Sequence, residues 1–170
     1  MIPIIEFNNI LYPKFQSEGF AAKFAFPFAK ELLKDDKEGY DIGCNRLEWK
    51  YPGELCLPID LTFNNGYDAY HLPDDPVDYI FSSHCLEHLT DWVGALDYWL
   101  DNLRQGGILF LYLPHPIQEY WLPWNNRKHI HSLYPEMIRK YFKDKGLTKS
   151  WVTEYDLNYS FYAVAEKIMP

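Results

Sequence analysis

The stretch that decides the fold is VDYIFSSHCLEHLTDWVGALDYWLDNLRQGGILFLYLP, residues 77–114. Val77 to Ser83 and Ile108 to Leu113 are nearly continuous apolar runs of strand length, the pattern of strands covered on both faces in a parallel sheet. Between them Leu86, Leu89, Val93, Leu96, Leu100 and Leu103 recur at intervals of 3, 4, 3, 4 and 3, which lays one apolar stripe along a helix. Burying six such side chains contributes roughly 10 kcal/mol before entropy is subtracted, enough to dock the helix on a sheet. Thr90-Asp91 is also a capping pair, so a second helix start there stays open. Strand, helix and strand together read as a right-handed βαβ unit.

Upstream the same grammar continues. Tyr40-Asp41-Ile42-Gly43 reads as a short strand ending in a glycine turn, and Glu54 to Asp60 as a second strand. Only Cys44 to Gly53 separates them, fewer residues than a parallel crossover usually takes, so the first crossover helix is expected to be stunted or missing. Pro27 fits the first position of a helix running through Phe28, Leu32 and Leu33 to about Asp35. Before it, Phe7, Tyr12, Phe15, Phe20, Phe24 and Phe26 mark an irregular aromatic arm packed on the domain. Downstream, Pro135 to Lys145 reads as a helix stopped by Gly146, and Lys149 to Glu154 with Tyr159 to Glu166 as an antiparallel hairpin. The expected fold class is therefore α/β, a mostly parallel sheet finished by a C-terminal hairpin. Length and pattern suit a single domain over 1–170, with an N-terminal arm and helix at 1–38, a core at 39–115, and a loop, helix and hairpin at 116–170.

Composition narrows the function. Hydrophobic residues make up 48% and charged residues 24%, an ordinary globular balance rather than a disordered one. Sixteen basic against 24 acidic residues give a net charge of −8, which disfavours nucleic acid as a partner. No apolar run reaches the length of a membrane span, and the N-terminus shows no signal-peptide pattern. Three cysteines without a CxxC pair suit free thiols, and a cytoplasmic location is expected. Aromatics at 18% exceed what a core alone would absorb, so some rings are expected to line a groove or an interface. Oligomeric state is left open.

In an open α/β sheet, ligands bind beyond the carboxyl ends of the strands. Those ends collect Asp41, Gly43, Cys44 and Asn45, then Asp60, then Ser82, Ser83 and His84, then Pro114 and His115. Asp60 closes the second strand, where a carboxylate can accept hydrogen bonds from both hydroxyls of a ribose; a capping or turn aspartate is the alternative. The turn after Asp41 lacks the further glycines with which backbone approaches a pyrophosphate. A ribose carboxylate without a phosphate cradle points away from NAD and toward S-adenosylmethionine.

The successive segments at 39–44, 58–60, 67–73, 77–88 and 106–114 resemble, in order and spacing, the motifs of class I S-adenosylmethionine-dependent methyltransferases. The resemblance covers roughly residues 39 to 115 and continues loosely to 166. It implies a Rossmann-like, seven-stranded fold and S-adenosyl-L-methionine as cofactor. It also implies a cofactor lying over Asp41, Gly43, Cys44 and Asn45, with Leu61 among its contacts, its ribose held by Asp60, its adenine edge by Asp68 and Ala69, and Ser83 and His84 flanking it. The chain departs from the family where Asn45 replaces its usual second glycine.

Two further features bear on chemistry. His84-Cys-Leu-Glu87-His88 is an H-x-x-E-H string, which on a helix would set two histidines one turn apart for zinc, with Glu119 or Glu136 as candidate third ligands. The alternative is histidines hydrogen-bonded at a helix start, the pentapeptide also fits the methyltransferase pattern, and no metal is expected. The loop from Gln118 to His131 mixes aromatic rings with amides, and Trp124, Asn125, Asn126, Arg127 and His131 are its candidate substrate contacts. That inventory suits a small polar molecule such as a sugar or nucleotide-linked sugar. The expected function is methyl transfer to such an acceptor, with His115 as first candidate for a general base and His84 and His129 behind it. A non-catalytic ligand-binding relative and a zinc hydrolase are the alternative readings.

Overall fold

A computed structural model describes residues 4–7, 10–13, 21–126 and 128–168. The decisive βαβ unit is present as β5 (Val77–Ser83), α2 (Trp92–Asp101) and β6 (Leu103–Pro114). Around it, in chain order, stand β1 (Ile4–Phe7), β2 (Ile10–Pro13), α1 (Ala22–Leu32), β3 (Gly39–Ile42) and β4 (Cys56–Ile59). After β6 come α3 (Pro135–Asp144), β7 (Ser150–Val152) and β8 (Ser160–Glu166). The main sheet has the order β4-β3-β5-β6-β8-β7. Its first four strands are parallel; β8 runs antiparallel to β6, and β7 antiparallel to β8. The described sheet thus has six strands where the resemblance implied seven. The residues between β4 and β5 form turns and an isolated bridge between Asp68 and His71 instead of a further edge strand.

Alternation along β5 and β6 explains how both faces are covered. Tyr79, Phe81, Phe110 and Tyr112 point to one side and pack with Ala25, Ala29 and Leu33 of the α1 region. Ile80, Leu109, Leu111 and Leu113 point to the other and pack with Leu96, Trp99 and Leu100 of α2 and Ile138 and Phe142 of α3. The core absorbs more aromatics than composition suggested. Tyr51, Phe81 and Phe110 stack in series at centroid distances of 5.1 and 5.4 Å.

Two expectations need correction. First, Pro27 lies inside α1, which starts at Ala22. Ala21, Ala25, Ala29 and Leu33 form a buried stripe at helical spacing, while Pro27 lies on the exposed side of the helix. The arm before it includes a two-stranded ribbon of β1 and β2, so Phe7 and Tyr12 lie in strands; Phe15 and Phe20 fall outside the described residues. Second, the stripe from Leu86 to Leu103 is not one helix. Leu86–His88 is a single 3₁₀ turn, the Asp91 carboxylate accepts the Gly94 N–H at 2.8 Å to cap α2, and Leu103 opens β6. As its shortness suggested, the crossover from β3 to β4 is made by a 3₁₀ turn at Leu47–Trp49 and not by a longer helix. Cys44, Cys56 and Cys85 are buried and unbridged, and no helix among the described residues is long and apolar enough to cross a membrane.

Candidate active site

The parallel strands end level. Ile42 pairs with Ile59 on one side and Ser82 on the other, and Ser83 pairs with Tyr112. The residues that follow therefore share one edge, and a cleft of about 730 Å³ opens over them. Every residue expected to hold the cofactor lines it. Asp41, Gly43, Cys44 and Asn45 come from the β3 turn, Asp60 and Leu61 from the end of β4, Asp68 and Ala69 from the next loop, and Ser83 and His84 from the end of β5.

Each of these groups has a defined setting. Gly43 has φ +88°, a left-handed backbone that favours glycine. The Asp41 carboxylate accepts the Tyr51 N–H at 2.6 Å, and its burial pushes its pKa up to about 7. Burial also raises the Cys44 thiol, whose Sγ lies 3.1 Å from the Arg46 carbonyl. The Asn45 carbonyl accepts the Thr62 hydroxyl at 3.1 Å, which ties the β3 turn to the β4 turn. Asp60 accepts the Thr62 N–H through Oδ1 at 2.9 Å, so it is a cap of the 3₁₀ turn Leu61–Phe63 as well as a wall of the cleft. Asp68 accepts the Tyr70 N–H at 2.7 Å and contacts His71 Nδ1 at 3.0 Å; against the desolvation that raises it, these bonds hold its pKa low. Ser83 Oγ is buried without a hydrogen-bond partner among the described residues.

A further part of the cleft wall comes from the loop after β6. Tyr120, Trp121, Asn126, Lys128 and His129 line the cleft, and so do Arg46, Trp49 and Tyr70 from the near side. Arg46 sits 4.6 Å over the Trp49 ring, a cation–π contact at the cleft wall. Of the candidate substrate contacts only Asn126 is part of this wall. Trp124 is 74% exposed, and Asn125 spends its amide on the Glu119 carbonyl at 2.7 Å. His131 lies outside the cleft with Nε2 3.3 Å from the Thr90 carbonyl, and Arg127 is not among the described residues. Composition singles out this loop but does not tell which face of it turns inward.

The histidines separate into two groups. His84 has φ +49°, its Nε2 lies 2.9 Å from Ser160 Oγ, and its ring meets Trp121 edge-on at 5.5 Å. Desolvation, then the neighbouring His129 and His88, hold its pKa well below the usual value. His129 stacks on Trp121 at 5.1 Å and is held at about 4 by burial. His115 does not line the cleft. Its Nδ1 accepts the Ile117 N–H at 3.0 Å and its ring packs among Tyr134, Tyr155 and Phe161, so the end of β6 turns it away from the expected base position.

The H-x-x-E-H string does not form a helix. His84 precedes a single 3₁₀ turn that His88 ends, and the residues that converge are Glu87, His88 and His129. Neither Glu119 nor Glu136 belongs to that cluster. The loop is clamped there because the Glu87 carbonyl accepts the N–H groups of Ile130 and His131 at 3.0 and 3.1 Å.

Comparison with known proteins agrees with this architecture. A family model described as "Methyltransferase domain" matches residues 24–150, three quarters of the chain. A search of curated proteins by sequence found no match. Among solved structures, a SAM-dependent methyltransferase from Archaeoglobus fulgidus superposes with a TM-score of 0.63 at 15% identity, covering 90% of this chain and 98% of that one. An S-adenosylmethionine-dependent methyltransferase from Mesorhizobium loti gives 0.62 at 17%, covering 86% and 98%. The plantazolicin methyltransferase BpumL in complex with SAH gives 0.62 at 10%, covering 90% and 84%. With that family match across the sheet and the strand-end cleft, the chain belongs to the methyltransferase-domain family, of the class I S-adenosylmethionine-dependent type.

Proposed function

We propose that this chain transfers a methyl group from S-adenosylmethionine to a small polar acceptor, of the sugar or nucleotide-linked sugar class. The observation that carries the reading is one cleft over the level strand ends, which gathers the ten candidate cofactor residues together with Tyr120, Trp121, Asn126 and Lys128. Its volume of about 730 Å³ lies in the range of small-molecule and cofactor sites. Asp60 Oδ2, left over from the cap, would accept ribose hydroxyls, and Ser83 Oγ, buried and without a partner among the described residues, would be a donor for the bound cofactor. Leu61, Asp68 and Ala69 would hold the adenine edge, and Asp41, Gly43, Cys44 and Asn45 the amino-acid end.

When bound, the cofactor supplies a methyl group on a cationic sulfur, already electrophilic. The chain's task is then alignment and exclusion of water, and alignment alone is worth on the order of 7–11 kcal/mol. Tyr120 would offer its ring to the acceptor, while the Asn126 amide and the Lys128 ammonium suit hydroxyl or phosphate oxygens. A hydroxyl acceptor loses a proton as it attacks. His84 fits that role best: its ring is uncharged, Ser160 engages Nε2, and Nδ1 has no protein partner among the described residues.

The test is calorimetric titration of the metal-free chain with S-adenosylhomocysteine, the product that competes for the same site. Saturable micromolar binding that is weakened by Asp60→Asn supports the reading. Absence of binding by the folded chain overturns it.

A further inference from the structure

Glu87, His88 and His129 form a cluster that methyl transfer as described leaves unused. Glu87 is fully buried, and neither of its carboxylate oxygens has a hydrogen-bond partner among the described residues. His88 Nε2 lies 3.6 Å and His129 Nε2 3.7 Å from the same atom, Glu87 Oε1. The candidate ligand atoms of the three residues all lie within 4.8 Å of one another.

The far side of each imidazole fixes what faces the carboxylate. His88 Nδ1 lies 2.6 Å from the Lys128 carbonyl, and His129 Nδ1 lies 2.8 Å from the Trp121 carbonyl. A carbonyl has no proton to give, so in both rings Nδ1 carries the hydrogen and donates it. The neutral ring then turns the lone pair of Nε2 toward Glu87. With Glu87 as the carboxylate, three electron-pair donors thus converge. Protonated histidines would not resolve this, because 3.6 and 3.7 Å are too long for N–H···O hydrogen bonds. The same separations lie a few tenths of an ångström above the ligand-to-ligand edge of about 3.3–3.4 Å in a tetrahedral zinc site with bonds near 2.0–2.1 Å.

We propose that Glu87, His88 and His129 bind a divalent transition-metal ion of the zinc type, with its remaining coordination position open to the cleft. The imidazole–carbonyl hydrogen bonds are the outer-shell contacts that orient metal-binding histidines. Stacking of His129 on Trp121 and the clamp of Ile130 and His131 on the Glu87 carbonyl hold the third ligand in place. Two imidazoles and a carboxylate suit zinc and its neighbours rather than calcium or magnesium. His88 and His129 both line the cleft, so the open position faces the acceptor wall. On the methyl-transfer reading, that position takes an oxygen of the acceptor; the metal site itself stands without that reading.

The experiment is titration of the chelator-treated full chain with Zn²⁺ by calorimetry and with Co²⁺ by visible absorption. The expected result is one equivalent of each, with a cobalt spectrum of nitrogen and oxygen ligation. Glu87→Gln and His88→Ala should each weaken binding roughly tenfold or more, with folding checked by circular dichroism. His88 is partly exposed, so its variant is the safer of the two. No saturable binding of either ion by the wild-type chain overturns the proposal, whatever the variants do. So does one-equivalent binding that both folded variants retain at full strength. Titration with S-adenosylhomocysteine before and after metal loading is read separately: metal bound without it refutes only the methyl-transfer reading, and the converse refutes only the metal site.

Discussion

Gly43 and Cys85 stand so close that a β-carbon built on Gly43 would lie 2.4 Å from the Cys85 Cβ and 2.7 Å from its Sγ. The turn after β3 and the 3₁₀ turn after β5 are thereby pressed together, which brings Asp41 and His84 to one cleft. Gly43 is needed twice over, for this contact and for its φ of +88°.

Gly43→Ala should therefore destabilise the fold by about 1–3 kcal/mol from backbone strain, with the clash added to it. Adding Cys85→Gly should recover the steric part and leave the strain. Urea unfolding of the single and double variants checks this. A single variant as stable as the wild type would mean the two turns are not packed as described.

Asp41 gives a pH-dependent prediction. An ordinary aspartate titrates at 3.8, and burial raises this one to about 7 in the fold despite the bond from the Tyr51 N–H. The folded state holds its proton more tightly than the unfolded one. Its contribution to stability is therefore full below about pH 4, falls as pH rises toward 7, and stays low above. Asp41→Asn removes this titration while its amide oxygen still accepts the Tyr51 N–H. The melting temperature of the variant should gain on that of the wild type across this window, by roughly 2–4 °C for each kcal/mol. Parallel curves would show that Asp41 ionises normally in the folded chain.

Asp60 combines two roles that substitution can separate. Its Oδ1 caps the turn at Leu61–Phe63, and the carboxylate lines the cleft. Asp60→Ala should lose about 1 kcal/mol of cap stability together with cofactor affinity. Asp60→Asn keeps a good cap and loses the charge, so stability should hold while S-adenosylhomocysteine binding weakens about tenfold, the size of one charge-assisted hydrogen bond. Unchanged affinity in both variants would leave Asp60 as a cap alone.

Features carried by neighbouring residues were legible in the sequence. The apolar runs at Val77–Ser83 and Ile108 to Leu113, the turn at Gly43 and the aspartate closing β4 each depend on local periodicity or strand-end position. Where tertiary packing overrode local preference, the sequence misled. Pro27 entered a helix because the buried stripe of Ala25, Ala29 and Leu33 outweighed one lost backbone bond. Leu86 and Leu96 share a core cluster, so their spacing looked continuous although the Asp91 cap interrupts the helix. His88 stood beside Glu87 in the H-x-x-E-H string, but its other partner was hidden for another reason. His129 arrives from a loop about forty residues downstream, and no pattern in the chain announces that its ring turns inward while Trp124 turns out.

His84 and His115 make opposite predictions for turnover. His84 lines the cleft and His115 does not, although both follow strand ends. His84→Asn, chosen because asparagine tolerates the left-handed backbone at φ +49°, should lower kcat by about 10²–10⁴-fold for a hydroxyl acceptor. Its affinity for S-adenosylhomocysteine should change much less. His115→Gln removes ring packing against Tyr134, Tyr155 and Phe161, so it should lower the melting temperature and leave kcat within a few-fold. Steady-state kinetics with a methyl acceptor, run beside thermal unfolding, separates the two. A collapse of kcat in the His115 variant with His84→Asn still active would return the proton-accepting role to the end of β6.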